Sequence, residues 1–380
     1  MYILFAALFA FLLYICEHTI YKRLWNKNLH VDAHFLVNEA FVGDEASLVE
    51  TIENSKSLPL PTVKMKLQLS KDLDFKDKDN SKVSDFFYRT DLYSIGPKER
   101  VKRTINFKCG KRGYYDFHGI DVVAADLLFS SEFVMECGAK SFLYVYPKPY
   151  RPKNYEPIVN RINGDILTKD KFLEDPYEFK GIREYQTFDS LKNVNWKASA
   201  KSESLMVNMH ANTAEKTIRI FLNFENDTIY EEAELKELSI SIAAALAVDY
   251  CKNGIELSLF SNAPDILTGD LSIVEGGSGD SHIGALNRTF ARMNLSKKAV
   301  PFKNLKDILL NPKRTECTIV ISPYMREDFQ DLLSELQGKK KDFLWICPAY
   351  ANSKYEVRAE LKQNTAVIPA KEAMYELSRS

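Results

Sequence analysis

At 380 residues the chain is longer than one ordinary hydrophobic core supports, so two or more domains are expected. Hydrophobic residues at 45% and charged residues at 27% exclude a disordered chain. Lysine plus arginine (51) balance aspartate plus glutamate (52), which excludes the basic excess of a nucleic-acid footprint.

Residues Met1 to Cys16 are almost wholly apolar, and the run extends weakly through Ile20. Taken to Ile20 it is long enough to cross a bilayer, which needs roughly 17–25 residues. A secretory signal is the rival reading. It calls for a cation ahead of the apolar core and a small-residue cleavage site behind it, and neither is present. Lys22, Arg23 and Lys27 follow the run instead, so the positive-inside rule puts the rest of the chain in the cytoplasm. Tyr21 and Trp25 suit an interfacial aromatic position. Residues 1–21 are therefore read as a single-pass anchor in the cell membrane.

Residues 28–150 read as an antiparallel β-sandwich. Short alternating stretches recur at Leu29–Phe35, Glu45–Ile52, Thr62–Gln68, Val101–Phe107, Gly113–Val123 and Ser141–Tyr146, with turn residues between them. The charged run Lys71–Ser81 reads as an exposed loop. Pro147, Pro149 and Pro152 end the domain, since proline cannot continue a central strand.

Residues 151–204 read as a long polar connector, and residues 205–380 as an α/β domain with a mostly parallel sheet covered on both faces. Strands are predicted at Thr217–Phe224, Ile255–Phe260, Thr318–Ser322, Phe343–Cys347 and Ala366–Pro369. Helices are predicted at Glu231–Lys252, Ser281–Met293 and Arg326–Gln337, with a short final helix after the last strand. Leu235, Leu238, Ile242 and Leu246 share one face of the first helix, and Gly254 is its expected stop. The basic run Lys339–Lys341 reads as a solvated helix end.

The most distinctive stretch is Gly181 to Lys201, GIREYQTFDSLKNVNWKASAK. Arg183 is able to fork onto a carboxylate such as Asp189, and Trp196 would bury its ring if its N–H finds a partner. Two readings stay open: an Arg–Asp–Trp clamp that fixes the connector, or a docking surface rich in the residue types of interface hot spots.

This stretch resembles the signature of the domain-of-unknown-function 58 family (DUF58), roughly G-x-R-x-Y-x-x-G-D followed by R-x-I-x-W-K-x-S-A-R. Gly181, Arg183, Tyr185, Asp189, Trp196, Lys197, Ser199 and Ala200 match it. Phe188 replaces a glycine, Lys192 stands where arginine is usual, and Lys201 replaces the final arginine. The Val145-Tyr146-Pro147 element also fits the family layout. The resemblance implies a sandwich followed by a von Willebrand A-like domain, no established catalysis, and a protein partner of the MoxR-type AAA+ ATPase class. Many members carry two apolar spans where this chain shows one.

A metal-binding von Willebrand A domain needs D-x-S-x-S after its first strand, to give an oxygen shell for magnesium. Asn223, Glu225 and Asp227 occupy those positions, and Ser322-Pro323 follows the later strand without an aspartate. The expectation is a degenerate site with no metal and no cofactor. Asp265, Asp270 and Asp280 are the remaining nearby carboxylates.

Enzyme signals are weak. The loop Glu275–Asp280 (EGGSGD) lacks the lysine of a nucleotide loop, and Asp280 or Ser281 reads as a helix cap. His18, His30, His34, His118, His210 and His282 show no ligand spacing, and no G-x-S-x-G elbow occurs. Cys16, Cys109, Cys137, Cys251, Cys317 and Cys347 form no CxxC pair and read as apolar filling in a reducing compartment. The reading is thus a non-enzymatic, membrane-anchored scaffold. The alternative is an envelope-associated hydrolase or nucleotide-binding enzyme whose residues are assembled only in space.

Overall fold

The computed structural model describes all residues except 1, 76–80, 84–86, 117–118, 139–140, 154, 170–178, 186–193, 203, 211–216, 227–232, 313–315, 340–342, 351–355 and 371–380. The expected final helix, and Lys340 and Lys341 of the basic run, lie outside the described residues. The chain divides into two compact units, Met1–Lys148 with Phe290–Arg292, and Pro149–Thr289 with Met293–Ser380.

In the first unit, helix α1 (Tyr2–Leu24) is long and apolar enough to cross a membrane. Its side chains from Tyr2 to Ile15 are exposed all round, as lipid-facing residues are. The end of the helix behaves differently. Tyr21 and Trp25 are buried members of the sandwich core. The Tyr21 hydroxyl donates to the carbonyl of Pro59 at 2.9 Å, and Trp25 stacks on Phe133 at 5.9 Å between ring centres.

The strands that follow are β1 (Leu29–Phe35), β2 (Glu39–Phe41), β3 (Glu45–Asn54), β4 (Leu60–Leu69), β5 (Leu73–Phe75), β6 (Ser81–Val83), β7 (Phe87–Ile95), β8 (Glu99–Cys109), β9 (Gly113–Asp116), β10 (Ile120–Ala125), β11 (Glu132–Cys137) and β12 (Phe142–Tyr146). They form sheets ordered β1-β3-β8-β5, β11-β10-β4-β7-β6 and β2-β12-β9. All pairs are antiparallel except β12 with β2. Leu48, Ile52, Phe75 and Phe107 from the first sheet meet Met65, Leu67, Ile95 and Val122 from the second in one apolar core, as two inner faces of a sandwich do.

The structure corrects the strand reading at three places. Residues Gly113–Val123 are two strands in different sheets, with Gly119 at φ +139° in the bend between them. The run Lys71–Ser81 contains β5, whose Leu73 and Phe75 are buried. Strands β7 and β11 carry no plain apolar alternation; on β7, Arg89, Asp91 and Tyr93 take inward positions beside Ile95.

The second unit begins with what was read as connector. Helix α2 (Tyr155–Lys169) buries Tyr155, Ile158 and Ile162. Strand β13 (Phe179–Glu184), helix α3 (Trp196–Ser202) and strand β14 (Met206–His210) follow, with β13 antiparallel to β14. Arg151 grips Asp249 through Nη2 at 2.5 Å and Nε at 3.1 Å, and the Tyr155 hydroxyl donates to Asp249 at 2.6 Å. Arg151 and Tyr155 are thus committed to Asp249, a partner distant in sequence, which is why this polar stretch reads as a loop.

The α/β core comprises β15 (Thr217–Leu222), α4 (Ala233–Lys252), β16 (Glu256–Pro264), β17 (Leu271–Gly277), α5 (Gly279–Arg292), α6 (Lys306–Leu310), β18 (Glu316–Ile321), α7 (Glu327–Gly338), β19 (Phe343–Ala349) and β20 (Thr365–Pro369). The sheet order is β17-β16-β15-β18-β19-β20, parallel throughout except for β17 at the edge. Its central strands read as continuous apolar runs because both faces are covered. Phe221, Val320, Trp345 and Cys347 pack with Phe329, Leu333 and Leu336 of α7. Helix α4 is buried on every side from Leu238 to Ala247, which its run of small residues permits, so its apolar face is wider than one stripe. Gly254, at φ +76°, ends it as expected. The EGGSGD stretch is divided between strand and helix: Glu275–Gly277 belong to β17, and Asp280 and Ser281 lie inside α5 rather than capping it.

Candidate functional site

In an open α/β sheet, ligands gather at the carboxyl ends of strands where the strand order reverses. That point here lies between β15 and β18, where Asn223 and Ser322 follow the strand ends. Asn223, Asn262, Ser261 and Ser322 are all fully buried. Asn262 Nδ2 donates to Asn223 Oδ1 at 2.8 Å and to the carbonyl of Val300 at 2.9 Å, while its Oδ1 accepts from Phe224 N–H at 2.9 Å. Asn223 Oδ1 also accepts the N–H of Glu225 at 3.1 Å. Ser322 Oγ accepts from Tyr324 N–H at 3.1 Å, and Ser261 Oγ from Ala263 N–H at 3.1 Å.

These bonds run to the backbone and between the two amides, while Asn223 Nδ2 is buried without a partner among the described residues. Neutral amides stand where a magnesium shell needs a carboxylate and hydroxyls. Among the described residues, no three His, Cys, Asp or Glu side chains gather as a metal set. Asp265 builds the β16–β17 turn by accepting from Leu267 N–H at 2.8 Å. Asp227 lies outside the described residues.

Glu225 sits half-buried beyond this seal. Burial raises its carboxyl above the ordinary range, the Phe302 N–H opposes the shift, and Asp328 adds to it. Tyr324, buried beside it, donates to Asp328 Oδ2 at 3.1 Å. The rim therefore carries Glu225, Tyr324 and Asp328, with Lys303 and Arg326 close enough to act on Glu225. Asn262 and Tyr324 were not identified from sequence; the only signal is polar Ser261-Asn262 interrupting the apolar run of β16.

The signature stretch divides into two sets of residues. Asn195 and Ser199 are structural. Asn195 Oδ1 caps α3 at the N–H of Ala198 (2.9 Å), and its Nδ2 donates to Asn208 Oδ1 at 2.7 Å. Ser199 Oγ donates to the carbonyl of Asn195 and accepts from Met206 N–H, both at 2.8 Å. Gly181 lies at the bulge of the β13–β14 ladder, and Tyr185 N–H bonds the carbonyl of Leu205 at 2.7 Å. Arg183 Nη1 donates to the carbonyl of Glu184 at 3.0 Å.

The second set faces outward. Trp196 is 68% exposed, and Lys197 and Lys201 are exposed on the same short helix. The expectation of a buried tryptophan in a clamp is therefore corrected. Asn195 and Ser199 spend the inward positions of α3 on β14, which leaves the indole at the first helical position facing out. Asp189, the carboxylate suggested for Arg183, lies outside the described residues, as do Phe188 and Lys192.

At the opposite ends of the strands lies an open cleft of about 430 Å³, lined by Arg219, Glu256, Ser258, Glu275, Asp307 and Glu316 among others. Its guanidinium is already used. Arg219 donates to the carbonyls of Ile308 (2.7 Å) and Leu309 (3.2 Å) and to Thr318 Oγ1 (3.0 Å), pairs with Glu316 (3.2 Å), and lies over the Phe221 ring. These contacts tie the strands to α6.

The two units define an all-β sandwich, preceded by an apolar helix, and an α/β unit whose order and antiparallel edge strand are consistent with a von Willebrand A-like domain. Over residues 181–346 the chain matches the model of the family described as Protein of unknown function DUF58. No curated protein matches the chain. Among solved structures, the CARDB domain of a Pyrococcus furiosus protein, in complex with di-metal ions, is 19% identical, covering 31% of this chain and 91% of its own, with a TM-score of 0.21. A non-cellulosomal cohesin from Archaeoglobus fulgidus is 14% identical, covering 31% of this chain and 91% of its own, with a TM-score of 0.21. A type I cohesin from Pseudobacteroides cellulosolvens is 16% identical over the same shares, 31% and 91%, with a TM-score of 0.20.

Proposed function

We propose that this chain is a non-enzymatic accessory protein, held at the cytoplasmic face of a membrane by α1, whose α/β unit docks a protein partner through Trp196 and its neighbouring cations. The observation that carries the reading is the exposed Trp196, presented on a helix whose inward residues are fully committed. An exposed tryptophan on the same short helix as Lys197 and Lys201 is an interface signature rather than a folding requirement. The family resemblance favours an AAA+ ATPase of the MoxR type as that partner.

Retention of α1 as an anchor is supported by its end. Tyr21 and Trp25 fill the sandwich core, so cleavage behind the apolar run would remove or fray part of the mature fold. Lys22, Arg23 and Lys27 support the cytoplasmic side. The mutual bonding of Asn223 and Asn262 supports a structural role for this amide pair.

The test is cross-linked co-purification of the full-length chain from membranes, native against Trp196→Ala. Loss of a hot-spot tryptophan costs on the order of 2 kcal/mol, or about 30-fold in affinity. An ATPase recovered with the native chain and lost with the variant is the expected result. Equal recovery with both would remove Trp196 from the interface.

A further inference from the structure

Helix α1 meets three polar side chains, Glu17, His18 and Thr19, before its basic end at Lys22 and Arg23. At 1.5 Å per residue, Glu17 lies about 7 Å to the apolar side of Lys22. Cations at a helix end mark the headgroup zone, so Glu17 falls at the boundary with hydrocarbon. Polar groups at such depth are tolerated where protein satisfies them.

The turn between β10 and β11 meets one Glu17 oxygen and His18, while Glu17 Oε2 is buried without a hydrogen-bond partner among the described residues. Leu127 N–H donates to Glu17 Oε1 at 2.8 Å. The His18 ring lies 3.3 Å from Ser131 Oγ and 3.9 Å from Asp126 Oδ2. Asp126 is itself buried and spends its carboxylate on the turn, accepting from Ser130 N–H at 2.6 Å and Ser130 Oγ at 2.5 Å. Phe129 N–H closes the turn onto the carbonyl of Asp126 at 3.2 Å, with Phe129 at φ +55° in the left-handed region.

With the one charge of this turn folded inward, its outer surface is Leu127, Leu128 and Phe129, exposed by 52%, 56% and 66%. Three adjacent large apolar side chains held outward on a well-bonded turn are costly in water. They sit on the turn that is hydrogen-bonded to α1 at Glu17. We propose that Leu127–Leu128–Phe129 is a wedge that enters the lipid interface beside α1, giving the sandwich a second contact with the bilayer. The inference rests on α1 being a membrane anchor. A lone helix is free to rotate about its axis, whereas a helix and a wedge joined through Glu17 hold the sandwich in one orientation on the membrane.

The experiment uses the full-length chain carrying Cys16→Ala and Cys137→Ala, reconstituted into vesicles of phosphatidylcholine and phosphatidylglycerol. A polarity-sensitive NBD label is attached through Leu128→Cys, through Asp121→Cys at the far end of β10, or through Phe9→Cys within α1. Quenching by nitroxide lipids is compared with quenching by aqueous iodide. The wedge predicts that the labels at 128 and 9 are quenched by nitroxide lipid and shielded from iodide, and that the label at 121 behaves oppositely. Lipid quenching at 9 with iodide quenching at 128 would overturn the wedge and leave the anchor standing. Shielding from both quenchers at 128 would point to a protein contact and overturn it equally. Iodide quenching at 9 would overturn the anchor, and the wedge with it.

Discussion

Asn262 donates its side-chain N–H to the side-chain oxygen of Asn223 at 2.8 Å, across the carboxyl ends of β15 and β16. This buried amide pair ties the ends of the two strands together. The same Asn262 side chain also serves Phe224 N–H and the carbonyl of Val300. Asn262→Ala leaves these buried groups unpaired at about 1–3 kcal/mol each, so a loss of about 3 kcal/mol is expected. Urea unfolding of the α/β unit, followed in the full chain, measures it.

Glu50 predicts a pH effect within the sandwich. It is buried and bonded to the Tyr93 hydroxyl. Burial pushes its carboxyl up to about 7, assisted by Asp91 and opposed by the Tyr93 bond and by Arg89 and Arg103. The folded chain therefore holds this proton more tightly than the unfolded chain. The contribution is complete below the ordinary value of 4.5 and is lost as the pH rises to about 7. Glu50→Gln should flatten this slope and stabilise the sandwich by on the order of 1–3 kcal/mol above neutrality. Unfolding midpoints at about pH 5 and about pH 8 test it; a variant that gains equally at both is the contrary result.

Asp249 holds the start of the second unit through Arg151 and Tyr155. Arg151 and Asp249 are partly exposed, so Asp249→Ala is expected to cost about 1–2 kcal/mol. Hydrogen exchange should quicken first in Tyr155–Lys169, with the central strands unchanged.

Trp25 separates anchoring from folding. Removing a buried tryptophan costs about 3–5 kcal/mol, so Trp25→Ala should loosen the sandwich. The apolar surface of α1 is untouched, so membrane association should persist. Protease sensitivity of the membrane-bound variant, compared with its retention on alkaline washing, reads both effects.

Much of this architecture is legible in the residues. Leu29–Phe35 reads as a strand because its alternation meets a one-sided core, and Thr217–Leu222 because a continuous apolar run suits a strand covered on both faces. Strand β7 is hidden because Arg89, Asp91 and Tyr93 take inward positions, with the arginine and aspartate paired at 2.5 Å, so charge marks the inside rather than the surface. Helix α2 is hidden for a related reason: its flanking Arg151 looks solvated until Asp249, distant in sequence, is placed beside it. The signature stretch is recognisable from Gly181 to Lys201, but its division into inward Asn195 and Ser199 and outward Trp196 depends on where β14 packs. Asn262 escapes notice because its partners are brought together only by the sheet.

The central claim is that Trp196 meets a protein partner while the chain is held in the membrane. Site-specific photo-crosslinking from position 196 of the full-length chain, in intact membranes, tests it most directly. The account predicts a discrete adduct with a second protein from 196, and none when the same probe replaces the exposed Ile273 on β17. A probe at 196 that yields no adduct, in a chain that is folded and membrane-bound, would contradict it.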